Sequence, residues 1–283
     1  MTMALRNLKR MSGEVVGVVR HASRRDALRW LRAFVLHLPT IMRSRSLQGA
    51  DAAWANGGVF RPSNGVAVKL PAGFTMGARE MYCRDVYLRS GLTMPSSGWV
   101  VDLGANHGLF SVWAAVSGAT AVAVEAQQGF ADVIRTVVAA NGVEERVRIV
   151  TAIAGSSAPS VPTRGVLADE ERWVTATHSV GQRPNVVAMG DLLDSLGADR
   201  VGLLKVDIEG GEFAVFDPLG DLEWLARVEQ IALEVHPPFG DVPALERLLV
   251  DRGFSVTFQA NEPVEVAPAD PSVNYAYATR VRT

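Results

Sequence analysis

Val100-Val101-Asp102-Leu103-Gly104-Ala105-Asn106-His107-Gly108, VVDLGANHG, is the stretch that decides the fold of this 283-residue chain. Trp99 to Leu103 reads as a buried strand interrupted by one acid, and Leu109 to Val116 reads as a helix. Gly104 and Gly108 bracket a tight turn between them, which brings backbone N–H groups and a helix N-terminus close to a ligand. The spacing is G-x-x-x-G, not the G-x-G-x-x-G of a nicotinamide fingerprint. An acid two residues before the first glycine suits a cationic ligand better than a pyrophosphate, so Asp102 is expected to take an ammonium group. The next strand, Ala121 to Glu125, ends in a carboxylate 21 residues past Gly104. A carboxylate there can accept from both hydroxyls of a ribose. Together these features point to S-adenosylmethionine rather than NAD.

Outward from this turn, strands and helices alternate. Helices are expected at Phe130 to Ala140, Asp191 to Leu196, from Gly211 to Phe216 and at Val242 to Arg252. Strands are expected at Val147 to Ala154, Val201 to Ile208, Gln230 to His236, Phe254 to Phe258 and Tyr275 to Val281. Such alternation means an α/β fold with a doubly wound, mostly parallel seven-stranded sheet. Upstream, Val66 to Leu70 alternates like a short strand and Arg79 to Arg89 reads as a helix. The polar stretch Ser156 to Asn185 is expected to hold a hairpin around Trp173 to Val180. The chain divides into a basic helical extension, 1–78, and a core domain, 79–283.

Two further clusters fall at strand ends, where reacting groups gather in an open α/β sheet. LLKVDIEGGE, Leu203 to Glu212, puts Lys205 and Asp207 on one face of a strand, with Glu209 following as the chain leaves the sheet. Three charges there are costly to bury unless paired. They form either an internal lysine–carboxylate network or direct contacts to a ligand. LEVHP, Leu233 to Pro237, ends the fifth strand with His236, the candidate general base, and Glu234 two residues earlier on the same face. His107 packs or caps within the turn, and His178 in the polar insertion can line a lid.

Composition is ordinary for a globular chain, with 48% apolar and 20% charged residues. The net charge of −2 argues against a generic nucleic-acid binder. The one cysteine, Cys83, excludes an internal disulfide and a cysteine zinc site, and is expected as a small buried side chain in a reducing cytoplasm. No segment reaches the ~18–20 apolar residues that span a bilayer. Charge is uneven: residues 1–45 hold ten Lys or Arg against Glu14 and Asp26, about +8, which leaves about −10 for the rest. Between Arg24 and Met42, apolar residues recur at helical spacing with arginines on the other face. That helix packs on the main domain or on a second subunit, or else lies on an anionic membrane or acidic partner.

These residues resemble the FkbM-type methyltransferases of class I fold. The resemblance rests on VDLGANHGLFS (Val101 to Ser111), Glu125, DLLDSL (Asp191 to Leu196), LLKVDIEGGE and LEVH, across roughly residues 80 to 260. Gly210-Gly211-Glu212 stands where the family more usually has glycine–alanine–glutamate. The resemblance implies an O-methyltransferase that uses S-adenosylmethionine, acting on a natural product, sugar or glycolipid. It assigns cofactor contacts to Asp102, Gly104, Ala105, Asn106, Gly108, Glu125, Ala126 and Asp207. His236, Asp207 and Lys205 are the candidate catalytic residues, and no metal ligands are assigned. Glu209, His178, Arg172, Trp173 and Tyr82 are the candidate acceptor contacts, with Arg164 and Tyr87 beside them. A nicotinamide oxidoreductase would need a G-x-G-x-x-G turn and a Tyr–Lys pair, and neither is visible. A non-catalytic cofactor- or partner-binding module is the remaining alternative.

Overall fold

The computed structural model describes residues 3–44, 46–155, 185–260 and 274–281. Its centre is a seven-stranded sheet in the order β10-β11-β9-β8-β3-β4-β5. The strands are β3 (Trp99–Leu103), β4 (Thr120–Glu125), β5 (Val147–Thr151), β8 (Val201–Val206), β9 (Gln230–Val235), β10 (Phe254–Ala260) and β11 (Asn274–Arg280). All neighbours are parallel except β11, which runs antiparallel to both β9 and β10. Strand order reverses between β3 and β8, and ligands of such sheets bind at that switch point. This is the doubly wound, mostly parallel sheet expected from the alternation, and the class I, Rossmann-like architecture that the resemblance implies.

Each central strand is apolar on both sides because both faces are covered. Val100, Ala121, Ala123, Leu203 and Ala232 point to one face, where helices α4 (Leu109–Val116) and α5 (Phe130–Ala139) and the N-terminal region pack. Val101, Val122, Val124, Leu204, Ile231 and Leu233 point to the other. Helices α6 (Met189–Leu196), α7 (Glu212–Val215) and α8 (Val242–Asp251) cover that second face. Asp102, Lys205 and Glu234 share the first face by the same period of two.

The N-terminal region comprises α1 (Met3–His21), α2 (Arg24–Ser44), α3 (Gln48–Asp51) and a short antiparallel pair, β1 (Gly58–Phe60) with β2 (Val68–Leu70). Ser23 Oγ accepts from Asp26 N and caps α2, and Asp26 Oδ2 accepts from Val59 N at 2.9 Å. Val18, Trp30, Trp54 and Phe60 join the core that includes Tyr82, Trp113 and Val100, so packing runs straight across the boundary drawn at residue 78. Arg79 ties the region together through Glu14 (2.6 Å) and Asp51 (3.0 Å).

Two local expectations need correction. The strand expected over Val147 to Ala154 ends at Thr151, which is paired with Glu125, the last residue of β4. With nothing left to pair, the chain turns, and β6 (Ile153–Gly155) forms a separate parallel pair with β7 (Val186–Ala188). The helix expected over Arg79 to Arg89 is a short wide turn, Arg79–Arg84, stopped by Asp85 in the left-handed region (φ 50°). That break sends Tyr87 toward the sheet. The expected hairpin around Trp173 to Val180 lies outside the described residues. No described helix is long and apolar enough to cross a membrane.

Candidate active site

The glycine turn is fastened to its neighbours by backbone. Gly104 N and Ala105 N both donate to Val124 O, at 2.9 and 3.0 Å. Gly104 has φ +74°, and a Cβ there would lie 1.7 Å from the Asp207 carbonyl oxygen, so the turn and the end of β8 are in direct contact. Asn106, at φ 49°, donates its N–H to Glu125 Oε2 (2.8 Å), while Gln127 N donates to Oε1 (2.9 Å). A carboxylate oxygen has two acceptor sites, so Glu125 keeps one on each oxygen for a ligand. It sits at the tip of β4, beside the turn, where a ribose-binding acid is expected.

Beneath the turn lies a buried ion network. Lys205 Nζ donates to Gly104 O (2.8 Å) and Leu103 O (3.3 Å), and stands 3.1 Å from Asp102 Oδ1 and 3.5 Å from Asp207 Oδ2. Ser111 Oγ donates to Asp102 Oδ2 at 2.6 Å. Burial works to lower the lysine pKa, but Asp102 and Asp207 outweigh it and hold the ammonium above its ordinary value. Asp102 is fully buried, which corrects the expected contact to a ligand ammonium. The chain supplies its own ammonium, because a solvent-free carboxylate needs a counter-charge. Lys205 is thus a positioning residue that ties the glycine turn to β8.

At the ends of β8 and β9, one phenol joins two carboxylates. Tyr87 Oη is 2.7 Å from Asp207 Oδ2 and 2.9 Å from Glu234 Oε2. A phenol has one proton to donate, so both contacts are hydrogen bonds only if a carboxyl also holds a proton. Burial first, then the Asp207 and Glu80 charges, push the Glu234 pKa up to about 8, which favours Glu234 as that carboxyl. Burial, then the Asp207 and Glu234 carboxylates, push the Tyr87 phenol well above its usual value. Asp207 keeps 27% of its side chain exposed at the strand tip.

His236 has a carboxylate at each ring nitrogen. Nδ1 lies 3.1 Å from Glu212 Oε1 and Nε2 lies 3.3 Å from Glu209 Oε2. Glu212 Oε1 also accepts from His236 N, and Oε2 accepts from Gly210 N. Burial alone would lower the imidazole pKa, but the hydrogen bonds and charges of Glu209 and Glu212 raise it to about 10. The ring is an imidazolium at neutral pH, with no lone pair to offer, which argues against the base role expected for it. Glu209 reaches it from a left-handed backbone, φ 53°, an unusual conformation for this residue.

Of the remaining expected residues, Ala105 is buried, Ala126 is half-buried, and Gly108 packs so that a Cβ would meet Ile134 at 2.9 Å. Tyr82 is fully buried, with its hydroxyl donating to Leu109 O, so it braces α4 and does not reach the cleft. His107 sits between the rings of Phe74 and Phe130. Arg164, Arg172, Trp173 and His178 lie outside the described residues. No group of three or more His, Cys, Asp or Glu among the described residues is arranged to hold a metal. Ser111 and Glu212 carry roles that sequence reasoning missed. Their signal was present, since both stand inside the motifs VDLGANHGLFS and KVDIEGGE.

Comparison with known proteins agrees with this geometry. Residues 102–256, more than half of the chain, match the methyltransferase FkbM domain. The methyltransferase sdnD of Sordaria araneosa is 39% identical over 61 residues, 22% of this chain and 23% of that protein. The 31-O-demethyl-FK506 methyltransferase FkbM of Streptomyces tacrolimicus is 35% identical over 72 residues, 25% of this chain and 27% of that one. The chain therefore matches about a quarter of each. Among solved structures, an rRNA methylase from Streptococcus thermophilus aligns at 8% identity over 67% of this chain and 90% of that one, with a TM-score of 0.41. TrmK of M. capricolum, solved with S-adenosylhomocysteine, aligns at 8% over 66% and 64%, with a TM-score of 0.37. At those scores neither bears on the acceptor. S-adenosylmethionine is the cofactor the family implies, and the acidic acceptor at the tip of β4 beside a left-handed glycine turn fits it. The chain belongs to the FkbM methyltransferase family.

Proposed function

We propose that the chain is an S-adenosylmethionine-dependent O-methyltransferase whose acceptor is a hydroxyl of a small molecule, in the class of natural products, sugars or glycolipids. The carrying observation is the Tyr87 hydroxyl set between the Asp207 and Glu234 carboxylates, at 2.7 and 2.9 Å, at the strand ends beside the glycine turn. The similarity to FkbM, a 31-O-demethyl-FK506 methyltransferase, supports the same chemistry. Bound at the turn, S-adenosylmethionine supplies a methyl group on a sulfonium, so the protein mainly aligns and desolvates. Glu125 and the Gly104–Gly108 turn hold the ligand, and Lys205 keeps that turn against β8. An alcohol must lose its proton as the new bond forms. When Glu234 is ionised, the Tyr87 hydrogen turns to it and frees Asp207 Oδ2 to accept from the acceptor hydroxyl. His236 stays protonated and holds Glu209 and Glu212 in position.

Calorimetric titration with S-adenosylhomocysteine, with NADH as control, tests the cofactor. Glu125→Ala is expected to weaken binding tenfold or more, the worth of a lost charged hydrogen bond of about 1.5–3 kcal/mol. Binding of NADH in place of S-adenosylhomocysteine would sink the proposal. With labelled S-adenosylmethionine and a panel of hydroxylated acceptors, the product methyl is expected to survive mild alkali as an ether. Its release would mean an ester and a carboxylate acceptor, which needs no base.

A further inference from the structure

Helix α2 is amphipathic twice over. Ala27, Trp30 and Ile41 face the protein. Away from them, Leu28, Val35, Leu38 and Met42 are exposed, with Leu31 half-buried between, at spacings of three and four residues. The stripe is about 21 Å long at 1.5 Å per residue. Pro39 widens it, and Val16 and Val19 of α1 are exposed as well. Arg24, Arg25, Arg32 and Arg43 are exposed along this helix, and Arg20 precedes it. The region's two acids are withdrawn from the surface: Glu14 is buried on Arg79, and Asp26 is buried against Ser23 and Val59. Every fully exposed charged side chain described between residues 11 and 44 is therefore positive. Residues 46–283 carry an excess of acids, so the positive charge is concentrated at the N-terminal helices.

We propose that α1 and α2 dock the protein on an anionic bilayer, with α2 lying in the headgroup plane, its apolar stripe inserted and its arginines on phosphates. An apolar stripe flanked by arginines, with no exposed acid, is what such a helix needs. A second copy fits worse. A two-fold interface sets each face against itself, and arginines would meet arginines with no acid to separate them.

The test is co-sedimentation of the full chain with vesicles of phosphatidylcholine, alone or mixed with phosphatidylglycerol, at low and physiological salt. Binding only to the mixed vesicles, weakened by salt, is expected. Arg24→Glu/Arg32→Glu/Arg43→Glu should lower the partition coefficient at least a hundredfold, since each arginine near the surface contributes about 1 kcal/mol. Val35→Asp, in the stripe itself, should lower it by tenfold or more. Both variants touch only exposed positions and should keep their melting temperature and their S-adenosylhomocysteine affinity, which separates this result from the catalytic proposal. Equal binding to both vesicle types, or none, overturns the proposal. So does a concentration-dependent dimer that Val35→Asp dissociates, which would assign the face to a second copy.

Discussion

Lys205 and Asp102 are both buried, and neither is tolerable alone. Lys205→Met should destabilise the protein by about 3–5 kcal/mol, because it leaves the Asp102 carboxylate without its counter-charge. In urea denaturation, Lys205→Met/Asp102→Asn should recover much of that loss. Additive losses would mean that the two charges do not depend on each other. His236 makes a pH prediction. Its pKa is about 10 in the folded protein and near 6.5 unfolded, so its ion pairs stabilise fully below about 6.5 and are lost as pH rises through 10. The melting temperature should fall across that window, and His236→Gln should flatten the decline. In the proposed mechanism, Glu234 sets the pH dependence of the rate. It is faced by Asp207, Tyr87, Glu80, His236 and the cross-strand neighbour Tyr275, with Lys205 behind Asp207. Methyl transfer to an alcohol should accelerate as pH rises through about 8, and Glu234→Gln should remove that limb of the profile while S-adenosylhomocysteine affinity holds. A profile unchanged by Glu234→Gln would remove the residue from the proton path.

The β3–α4 turn works as a unit with the ends of β4 and β8. Gly104 makes the approach possible, and its left-handed backbone and contact with the Asp207 carbonyl leave no room for a methyl group. Gly104→Ala should abolish S-adenosylhomocysteine binding by calorimetry, even where circular dichroism shows the sheet intact. Retained affinity would mean that β8 can recede. The turn was legible because glycine spacing and a strand-end carboxylate are local features. The direction of Asp102 was not, since a strand assigns a side chain to a face but not to a partner. Its partner is 103 residues away, on a strand brought alongside by the crossover.

Across the whole molecule, the N-terminal region is part of the core rather than an appendage. Trp30 is fully buried and stacks with Trp54, whose ring meets Phe60, which in turn packs on Tyr82. Trp30→Ala should cost about 3–5 kcal/mol in denaturant unfolding, as large-to-small changes in packed cores do. Deleting residues 1–45 should leave a chain that unfolds non-cooperatively or aggregates, because it uncovers that aromatic column and strands Arg79 without Glu14. A soluble, cooperatively melting truncation would show that the core folds without α1 and α2.

The residues alone were enough for the sheet, its two covered faces and the glycine turn, which follow from periodicity and short-range spacing, and the family followed from the resemblance of the motifs. They were also enough to mark the N-terminal helices as basic and amphipathic. Partnerships at long range came from the fold. Lys205 rather than a ligand sits on Asp102, Tyr87 bridges two carboxylates, and His236 is held as a cation by Glu209 and Glu212. Burial decides each of these, since a charge removed from water takes the nearest opposite charge, and which charge is nearest depends on how distant strands are set side by side.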